Sequence, residues 1–350
     1  MKKSLVALAA LAVIGAASAQ SSVTLSGVVD AALAYGSGDL TNKTRLVNSA
    51  YRSSHLLFSG TEDLGGGLKA SFHLEAGINN DDGSGQTTNL NNQTTVGQAN
   101  GGGGMTFNRR STVSIQGGFG EVRLGRDYTP HYLNHSAYDP FGQLGVGASR
   151  AVVGSTTAFG GINFTAVRAS NSVAYHSPTF SGFGVRVQAY LGENADNLPN
   201  AGSGSSIRGT YAMGPVSLGL AYGKTTTGAG TDLKSTNLGG SYDFGVAKLM
   251  GAITKDAATG FDDVKGWQLG AHIPMGSGLV RTSLSQTDNG TATQKQFALG
   301  YVYNLSKRTD LYATVATVRN SGGASAALNG STTSANGSSN GYDVGVKHAF

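Results

Sequence analysis

The amino-acid sequence predicts an all-β fold, a transmembrane antiparallel β-barrel of sixteen strands. Three features of the chain predict it. Large apolar residues recur at every second position in many segments, short and long connections alternate between these segments, and no run of 18 apolar residues follows the N-terminal segment. A helix needs about 20 apolar residues to span a bilayer, whereas a strand spans it with about ten. If this chain crosses a membrane, it therefore does so with strands.

Residues 1–19 have the pattern of a secretory signal peptide. Lys2 and Lys3 form a basic start, and ten apolar residues follow from Leu5 to Ile14 before a small-residue cleavage site. This apolar run is too short to span a membrane as a helix. We therefore expect residues 20–350 to form a single barrel domain of an exported protein.

The composition excludes several classes of protein. The 350 residues include 54 glycines and no cysteine, so disulfide frameworks, thiolate metal sites and cysteine nucleophiles are excluded. Charged residues make up only 13% of the chain, which argues against intrinsic disorder. The net charge is mildly positive, and this excess is too small to indicate nucleic acid binding.

Alternation of apolar with small or polar residues is the pattern that repeats along the rest of the chain. It predicts strands with one apolar face and one face of glycine, serine, glutamine, asparagine and scattered charge. Such a second face suits a lumen filled with water. Four segments illustrate the pattern: Phe72 to Ile78, Val216 to Tyr222, Trp267 to Ile273 and Phe297 to Leu305.

The connections are of two alternating kinds, which indicates a membrane barrel rather than a sandwich. Seven are tight turns, at 63–66, 117–120, 181–184, 214–215, 243–245, 274–278 and 306–309. Eight are long and polar, at about 36–50, 79–104, 129–167, 192–205, 224–234, 255–263, 287–294 and 320–340. These connections join sixteen strands and leave both termini on the short-turn side, as in bacterial outer-membrane barrels.

Motifs that follow one another along the chain resemble those of one family of such barrels. They are the opening strand Ser22 to Asp30, the first turn within Gly60 to Ala70, Phe107 to Arg110, Gly117 to Gly120, Leu124 to Pro130, Asp139 to Gly142, Asn171 to Pro178, and a last strand that alternates from Tyr342 to Phe350. The mature chain is similar from end to end to the Gram-negative general diffusion porins of the β-proteobacterial type. The resemblance implies a homotrimer of sixteen-stranded barrels in outer-membrane lipid, through which small hydrophilic solutes and inorganic ions diffuse. It implies neither a cofactor nor an enzymatic activity.

The resemblance also implies where the channel is narrowest. In this family the third long loop, here about 129–167, folds into the barrel, and acidic groups on the loop face basic side chains on the wall. By this transfer Asp139 is the acid of the loop, and Arg109 and Arg168 are basic residues of the wall. The C-terminal Phe350 resembles the signal that directs such barrels to the barrel assembly machinery.

Further residues modify this pattern of charge. Alternation alone places Arg123, Arg186 and Arg281 away from the apolar face, so they are additional candidates for the lumen. His55 lies in a segment where the family usually carries basic residues, so permanent charge is missing there. Because the mature chain keeps a basic excess and several arginines remain, we expect mild anion selectivity that weakens as salt rises.

Aromatic residues and histidines near the third loop bear on other functions. A substrate-selective channel is the alternative to a general porin; it would need an aromatic track in the lumen, for which the candidates are Tyr128, Tyr132 and Tyr138. His131 and His135 would share one face of a helical turn and could hold zinc, but the only evident third ligand is Asp139. No histidine lies in a motif that couples it to a nucleophile. We therefore expect no enzyme and no metal site.

Overall fold

The computed structural model describes residues 22–87, 104–151, 167–193, 200–226 and 231–350, and these residues form a large antiparallel sheet. The strands are β1 (Ser22–Ser37), β2 (Lys43–Asn48), β3 (His55–Gly65), β4 (Leu68–Asn79), β5 (Ser84–Gly85), β6 (Arg110–Gly117), β7 (Gly120–Tyr128), β8 (Arg168–His176), β9 (Phe183–Tyr190), β10 (Gly204–Met213), β11 (Val216–Thr226), β12 (Asp232–Asp243), β13 (Lys248–Ala258), β14 (Val264–Met275), β15 (Gly278–Asp288), β16 (Thr293–Asn304), β17 (Thr309–Ser321) and β18 (Ser338–Ala349). A short helix, α1 (Pro130–Ala137), follows β7. Within these described ranges no helix is long and apolar enough to span a membrane. The predicted signal peptide, 1–19, lies outside the described residues.

The strand segments of the described chain form a closed barrel of sixteen strands. β2 and β3 are successive parts of one barrel strand, because β3 pairs with the first half of β1 and β2 with its second half. β5 has two residues and pairs with the end of β4, whereas β4 pairs along its length with β6. β1 also pairs with β18 over Val28 to Ser37, which closes the sheet. The prediction of a sixteen-stranded antiparallel barrel is confirmed.

The barrel is apolar outside and polar inside. Leu220 and Ile253 face outward and are 57% and 59% exposed, whereas Asn237 and Gln268 face inward and are 1% and 3% exposed. A soluble protein would bury the leucine and isoleucine, because removing apolar surface from water drives folding. Lipid replaces water around a membrane barrel, so this inverted arrangement is the stable one.

The ends of the strands follow the predicted connections with two differences. The third long connection runs from Tyr128 to Arg168 as predicted, although 152–166 lie outside the described residues. The first long connection is shorter than predicted, because β1 and β2 continue their pairing as far as Gly36 and Lys43. The turn predicted to be tight at 181–184 is a longer connection, 177–182, between β8 and β9.

The C-terminal residue completes the ladder between the first and last strands. The N–H of Phe350 donates to the carbonyl of Gly27, and the N–H of Gly27 donates to the carbonyl of Phe350, both at 3.1 Å. The Phe350 ring covers Gly27 so closely that a Cβ on Gly27 would lie 2.6 Å from the ring atom Cζ. Any larger residue at position 27 would displace the terminal ring.

Candidate functional site

The third long loop lies inside the barrel, where its first part packs on the wall formed by β10, β11 and β12. Helix α1 begins after Thr129, whose hydroxyl accepts from the N–H of Tyr132. His131 donates its backbone N–H to Ser206 Oγ at 3.1 Å. Asn134 Nδ2 donates to Asn237 Oδ1 at 2.6 Å and to a backbone carbonyl of β11 at 2.9 Å. The helix is thereby fixed to three successive strands.

The second part of the loop continues along the wall to the closing strand. The carbonyl of Pro140 lies 2.8 Å from His272 Nε2 on β14, and Arg150 Nε donates to Gln296 Oε1 on β16 at 2.8 Å. The N–H of Val146 donates to Asp343 Oδ2 on β18 at 2.6 Å. The prediction of an inward-folded third loop is therefore confirmed for its described residues.

Glycines on the inner face of the wall make room for this loop. A Cβ on Gly219 would lie 2.1 Å from Asn134 Oδ1, and one on Gly223 would lie 2.3 Å from the His131 ring. A Cβ on Gly239 would lie 2.2 Å from the Tyr138 ring. Real Cβ atoms do not approach other atoms so closely, so α1 can lie against this wall only because these positions lack side chains.

An apolar cluster inside the polar barrel joins the third loop to the last long loop. Phe141 and Val146 of the third loop are each 3% exposed, and Leu328 of the loop between β17 and β18 is 2% exposed. These three pack with inward residues of β16 and β17. Asn329 next to Leu328 donates to Asp343 Oδ1 at 2.8 Å, the carboxylate that also holds Val146. Both loops are therefore anchored at one place on the wall.

Glu75 of β4 is the centre of a charged cluster on the wall that is not covered by α1. Arg109 donates its Nε to Glu75 Oε1. His73 Nε2 lies 3.2 Å from Glu75 Oε2, and His55 Nδ1 lies 4.0 Å from Glu75 Oε1. Two predicted site residues, Arg109 and His55, thus meet at a carboxylate that the sequence did not single out.

Tyr128 connects Arg109 to Arg168. The Tyr128 hydroxyl accepts from Arg109 Nη2 at 2.8 Å and also from Arg168 Nη2. The Arg168 guanidinium lies over the Tyr128 ring, 4.2 Å from its centroid, and the ring stacks on that of Tyr132 at 5.7 Å. A bulge at Gly125, where the pairing of β7 with β8 shifts register, precedes this part of the strand. Three of the sequence candidates, Arg109, Arg168 and His55, therefore lie in one continuous cluster.

Arg123 lies in a separate group, where its charge is neutralised. Its guanidinium donates to both carboxylate oxygens of Glu121, at 3.1 and 2.9 Å, and to Asp127. Arg110 also approaches Asp127, at 3.7 Å. The positive charges of the two arginines equal the negative charges of the two carboxylates, so this group adds little net charge to the lumen.

Four further inward arginines have no acidic partner within ion-pair distance in the part of the chain that the structure describes. They are Arg168, Arg186, Arg208 and Arg281. Arg186 and Arg208 are direct cross-strand neighbours on β9 and β10. Arg281 lies between the rings of Tyr51 and Phe141, 4.7 and 4.6 Å from their centroids. Because no carboxylate neutralises their charges at close range, these side chains give the inside of the barrel a positive potential.

Asp139 is buried within its own loop, where the charge of Arg281 on the wall acts on its carboxylate. Its carboxylate is 4% exposed and accepts from the N–H groups of Phe141 and Gln143, both at 2.9 Å, and from that of Ser149 at 3.3 Å. Burial raises the pKa of this carboxyl group, and the backbone hydrogen bonds oppose the rise. Because its oxygens accept from N–H groups of the same loop, Asp139 stabilises the fold of that loop.

His131 and His135 are buried in the interface between α1 and the wall. Burial lowers the pKa of His131 to about 4 and that of His135 to about 3, so both rings are neutral at pH 7. His131 Nδ1 lies 3.0 Å from Ser206 Oγ, and the Asp139 carboxylate is turned toward its own loop. Among the described residues no group of three His, Cys, Asp or Glu side chains could hold a metal ion.

Sequence reasoning missed two charged residues of the site. Glu75 and Arg208 both occupy inward positions of alternating strands, so periodicity alone could have placed them in the lumen. Their partners could not be found in this way. Arg109 follows a long loop, and Asn134, which accepts from Arg208 Nε at 2.9 Å, lies on α1.

A closed inside-out barrel with an inward third loop is the architecture of a diffusion channel, and comparison with known families agrees. A profile of the Gram-negative porin family matches residues 5–323. The chain belongs to the Gram-negative porin family. Members of this family are channels rather than enzymes, and the porin is an outer-membrane protein.

Individual relatives cover nearly all of this porin. Outer membrane porin protein 32 of Delftia acidovorans is 41% identical, with 100% of both chains covered. An outer membrane porin protein of Bordetella pertussis is 29% identical, with 89% of this chain and 93% of that one covered. Among solved structures, the anion-selective porin from Comamonas acidovorans is similar, with 36% identity, a TM-score of 0.81, and coverage of 95% of this chain and 100% of that chain. OmpT of Vibrio cholerae has the same fold at 12% identity, with a TM-score of 0.62 and coverage of 94% of this chain and 98% of that chain.

Proposed function

We propose that this porin lets small hydrophilic solutes and inorganic ions diffuse passively through a water-filled lumen, with a mild preference for anions. The observation that carries the proposal is the set of inward arginines without an acidic partner among the described residues, Arg168, Arg186, Arg208 and Arg281. The similar porin from Comamonas acidovorans is anion-selective, which supports the same direction.

The roles of the individual residues follow from their pairing. Arg168 contributes to the anion preference, because its charge lies at the end of the Glu75 cluster and has no carboxylate partner there. Arg109 and Arg123 contribute less, since each is held by a carboxylate. His55 adds positive charge beside Glu75 only when it is protonated. Asp139 shapes the loop and so acts on the channel through its width.

The preference should be modest. A wide, hydrated lumen screens its charges over about 10 Å at 0.1 M salt. The zero-current potential of a planar bilayer between two KCl solutions measures the anion-to-cation permeability ratio. We expect a ratio above one that falls as the mean KCl concentration rises. A ratio below one in dilute KCl would refute the assignment of the arginines.

A second measurement separates a general porin from the substrate-selective alternative. Liposomes that contain the protein swell when a solute enters. A rate that declines smoothly with solute size for a series of uncharged sugars is expected for a general porin. One sugar that enters far faster than its size predicts would instead indicate a selective channel, and the stacked Tyr128 and Tyr132 rings would be the first residues to mutate.

We also propose that the exported chain loses residues 1–19, that Phe350 is read by the barrel assembly machinery, and that three barrels associate in the membrane. The family supports a trimer, and the exposed apolar outer face suits both lipid and neighbouring barrels. An unboiled sample should run on a denaturing gel far above the mass of the monomer and shift down on boiling. A monomer band at every protein concentration would contradict the trimer.

A further inference from the structure

The segment between β2 and β3, residues 49–54, bends into the lumen, and we call it the inner bend. β1 advances by only two residues where its partner strand advances by six, because the pairing stops at Asn48 and resumes at His55. The surplus residues leave the plane of the sheet, as in a large β-bulge. They leave it on the inner side, since the N–H groups of Tyr51 and Arg52 donate to the buried, inward carboxylate of Asp30.

The inner bend places one ring and one guanidinium beside those of the wall and the third loop. Tyr51 packs on Tyr312 of β17, with ring centroids 5.3 Å apart. The Arg281 guanidinium lies 4.7 Å from the ring centroid of Tyr51 and 4.6 Å from that of Phe141. The Arg52 guanidinium lies 5.6 Å from the centroid of Tyr51. Rings and guanidiniums therefore alternate from Phe141 through Arg281 and Tyr51 to Arg52, and we call these four residues the aromatic–guanidinium row.

The aromatic–guanidinium row is buried at one end and open at the other. Phe141 and Arg281 are 3% and 4% exposed. Tyr51 is half-buried, and Arg52 is exposed. Because Asp30 holds the backbone of Arg52, the exposed side chain starts from a fixed point. A solute in the lumen reaches only the open end, so Tyr51 and Arg52 are the members that it can touch.

The charge of Arg52 has no partner among the described residues. No carboxylate of the described chain lies within ion-pair distance of Arg52, and its guanidinium makes no hydrogen bond there. Arg168, the other guanidinium that lies over a tyrosine ring of the lumen wall, differs because it donates to the Tyr128 hydroxyl. The N–H groups of Arg52 are therefore available to a carboxylate, which a guanidinium binds through two parallel hydrogen bonds.

We propose that Tyr51 and Arg52 form a binding site for small aromatic carboxylates. The carboxylate of the solute pairs with Arg52, and its ring lies against Tyr51. Aromatic pairs attract each other beyond the area that they bury, and the face of a ring also attracts the guanidiniums beside Tyr51. This inference rests on the proposed function, since such a solute must first enter a water-filled lumen.

One methylene group between ring and carboxylate suits this site. In benzoate the ring is coplanar with the carboxylate and therefore extends away in the plane of the guanidinium that binds it. In phenylacetate the ring can turn out of that plane, toward the neighbouring Tyr51. Cyclohexylacetate has the same charge and nearly the same size, but it has no aromatic face, so it satisfies Arg52 alone. The site should therefore prefer phenylacetate to cyclohexylacetate.

Chloride current through single channels in planar bilayers measures this binding, because a solute held in the lumen obstructs the flow of ions. Potassium phenylacetate or potassium cyclohexylacetate is added at constant KCl, and the concentration that gives half of the maximal reduction is determined. The test variants are Tyr51→Leu and Arg52→Gln. The control variant is Arg186→Gln, which removes one unpaired lumen charge from β9.

We expect phenylacetate to act at a concentration about fivefold lower than cyclohexylacetate in the original protein, the effect of one aromatic contact. Tyr51→Leu should abolish this preference, and Arg52→Gln should weaken the action of both solutes about tenfold. Arg186→Gln should keep the fivefold preference. Equal action of the two solutes on the original protein, a preference that survives Tyr51→Leu, unchanged action in Arg52→Gln, or loss of the preference in Arg186→Gln would each overturn the proposal.

Two further comparisons keep the result interpretable. Tyr51→Phe keeps the ring and should retain the preference for phenylacetate, and its loss in this variant would count against the ring contact. If Tyr51→Leu prevents folding because the ring also packs on Tyr312, the two solutes on the original protein and on Arg52→Gln still decide. Failure of the proposed anion preference would appear in the zero-current potential in KCl. It would leave this comparison unaffected, because the two solutes carry the same charge.

Discussion

Replacing Glu75 with glutamine should make the channel more selective for anions. Glu75 holds Arg109 and lies within 4.0 Å of His55, and its side chain is 12% exposed. Glu75→Gln keeps the size of the side chain but removes its charge. The charge of Arg109 then adds to that of Arg168 on the other side of the Tyr128 hydroxyl.

The size of the effect follows from Coulomb's law. One unit charge at about 7 Å from a passing ion in water changes its energy by roughly 0.6 kcal/mol. This favours an anion by about 2.7-fold and disfavours a cation by the same factor, so the permeability ratio should rise about sevenfold in dilute salt. Screening at 0.1 M KCl should reduce the rise to about threefold.

Zero-current potentials in KCl gradients measure this ratio directly. The matched control is Glu62→Gln, which removes one carboxylate from the outward face of β3 and should leave the ratio unchanged. A ratio that stays the same or falls in Glu75→Gln would refute the reasoning. It would mean that the carboxylate of Glu75 does not influence the path of the ions.

Three further predictions concern the loop, the terminus and the arginines. Burial holds the pKa of His131 near 4 and that of His135 near 3, below the ordinary 6.5, so the packed loop binds fewer protons than a detached one and its packing should weaken as pH falls through that window. Single-channel noise should rise below about pH 6 and level off near pH 3, and this dependence should be smaller in His131→Gln and absent when His135→Gln is added. Gly27→Leu should lower outer-membrane yield, because the new side chain displaces the Phe350 ring, and deletion of Phe350 should lower it at least as much; normal yield of both would show that the contact is dispensable. Arg168→Ser should reduce anion selectivity more than Arg123→Ser, whose charge is already neutralised, and the reverse order in zero-current potentials would contradict the pairing scheme.

Strands could be predicted from the sequence because their signal is local. Every second side chain of a segment such as Phe297 to Leu305 faces lipid and must be apolar, so the alternation of apolar residues can be read directly from the sequence. Loop lengths are equally local, and the predicted bounds of the segment from Tyr128 to Arg168 agree with the structure. The resemblance to porins supplied the inward path of that segment, which neither composition nor periodicity indicates.

Side-chain partners could not be predicted because they depend on contacts between distant parts of the chain. Asp139 is an acid on the expected loop, but its carboxylate accepts from three backbone N–H groups of that loop. The sequence does not indicate these hydrogen bonds. Leu328 is a single apolar residue in a polar loop, with no periodic neighbours to mark it as buried. Its burial depends on Phe141 and Val146, which are more than 180 residues earlier in the sequence.

The glycines beneath the third loop have a consequence for how such channels can be altered. Gly219, Gly223 and Gly239 leave room for side chains of the third loop, namely Asn134, His131 and Tyr138. The path of the loop therefore depends on strands that follow it in the sequence by 80 residues or more. The wall positions without side chains therefore determine where the bulky side chains of the loop can pack. A loop transplanted from another porin would settle in the same course only where its bulky side chains meet vacant positions in the host barrel. Pore width is thus a joint property of two distant stretches of chain, and neither can be redesigned alone.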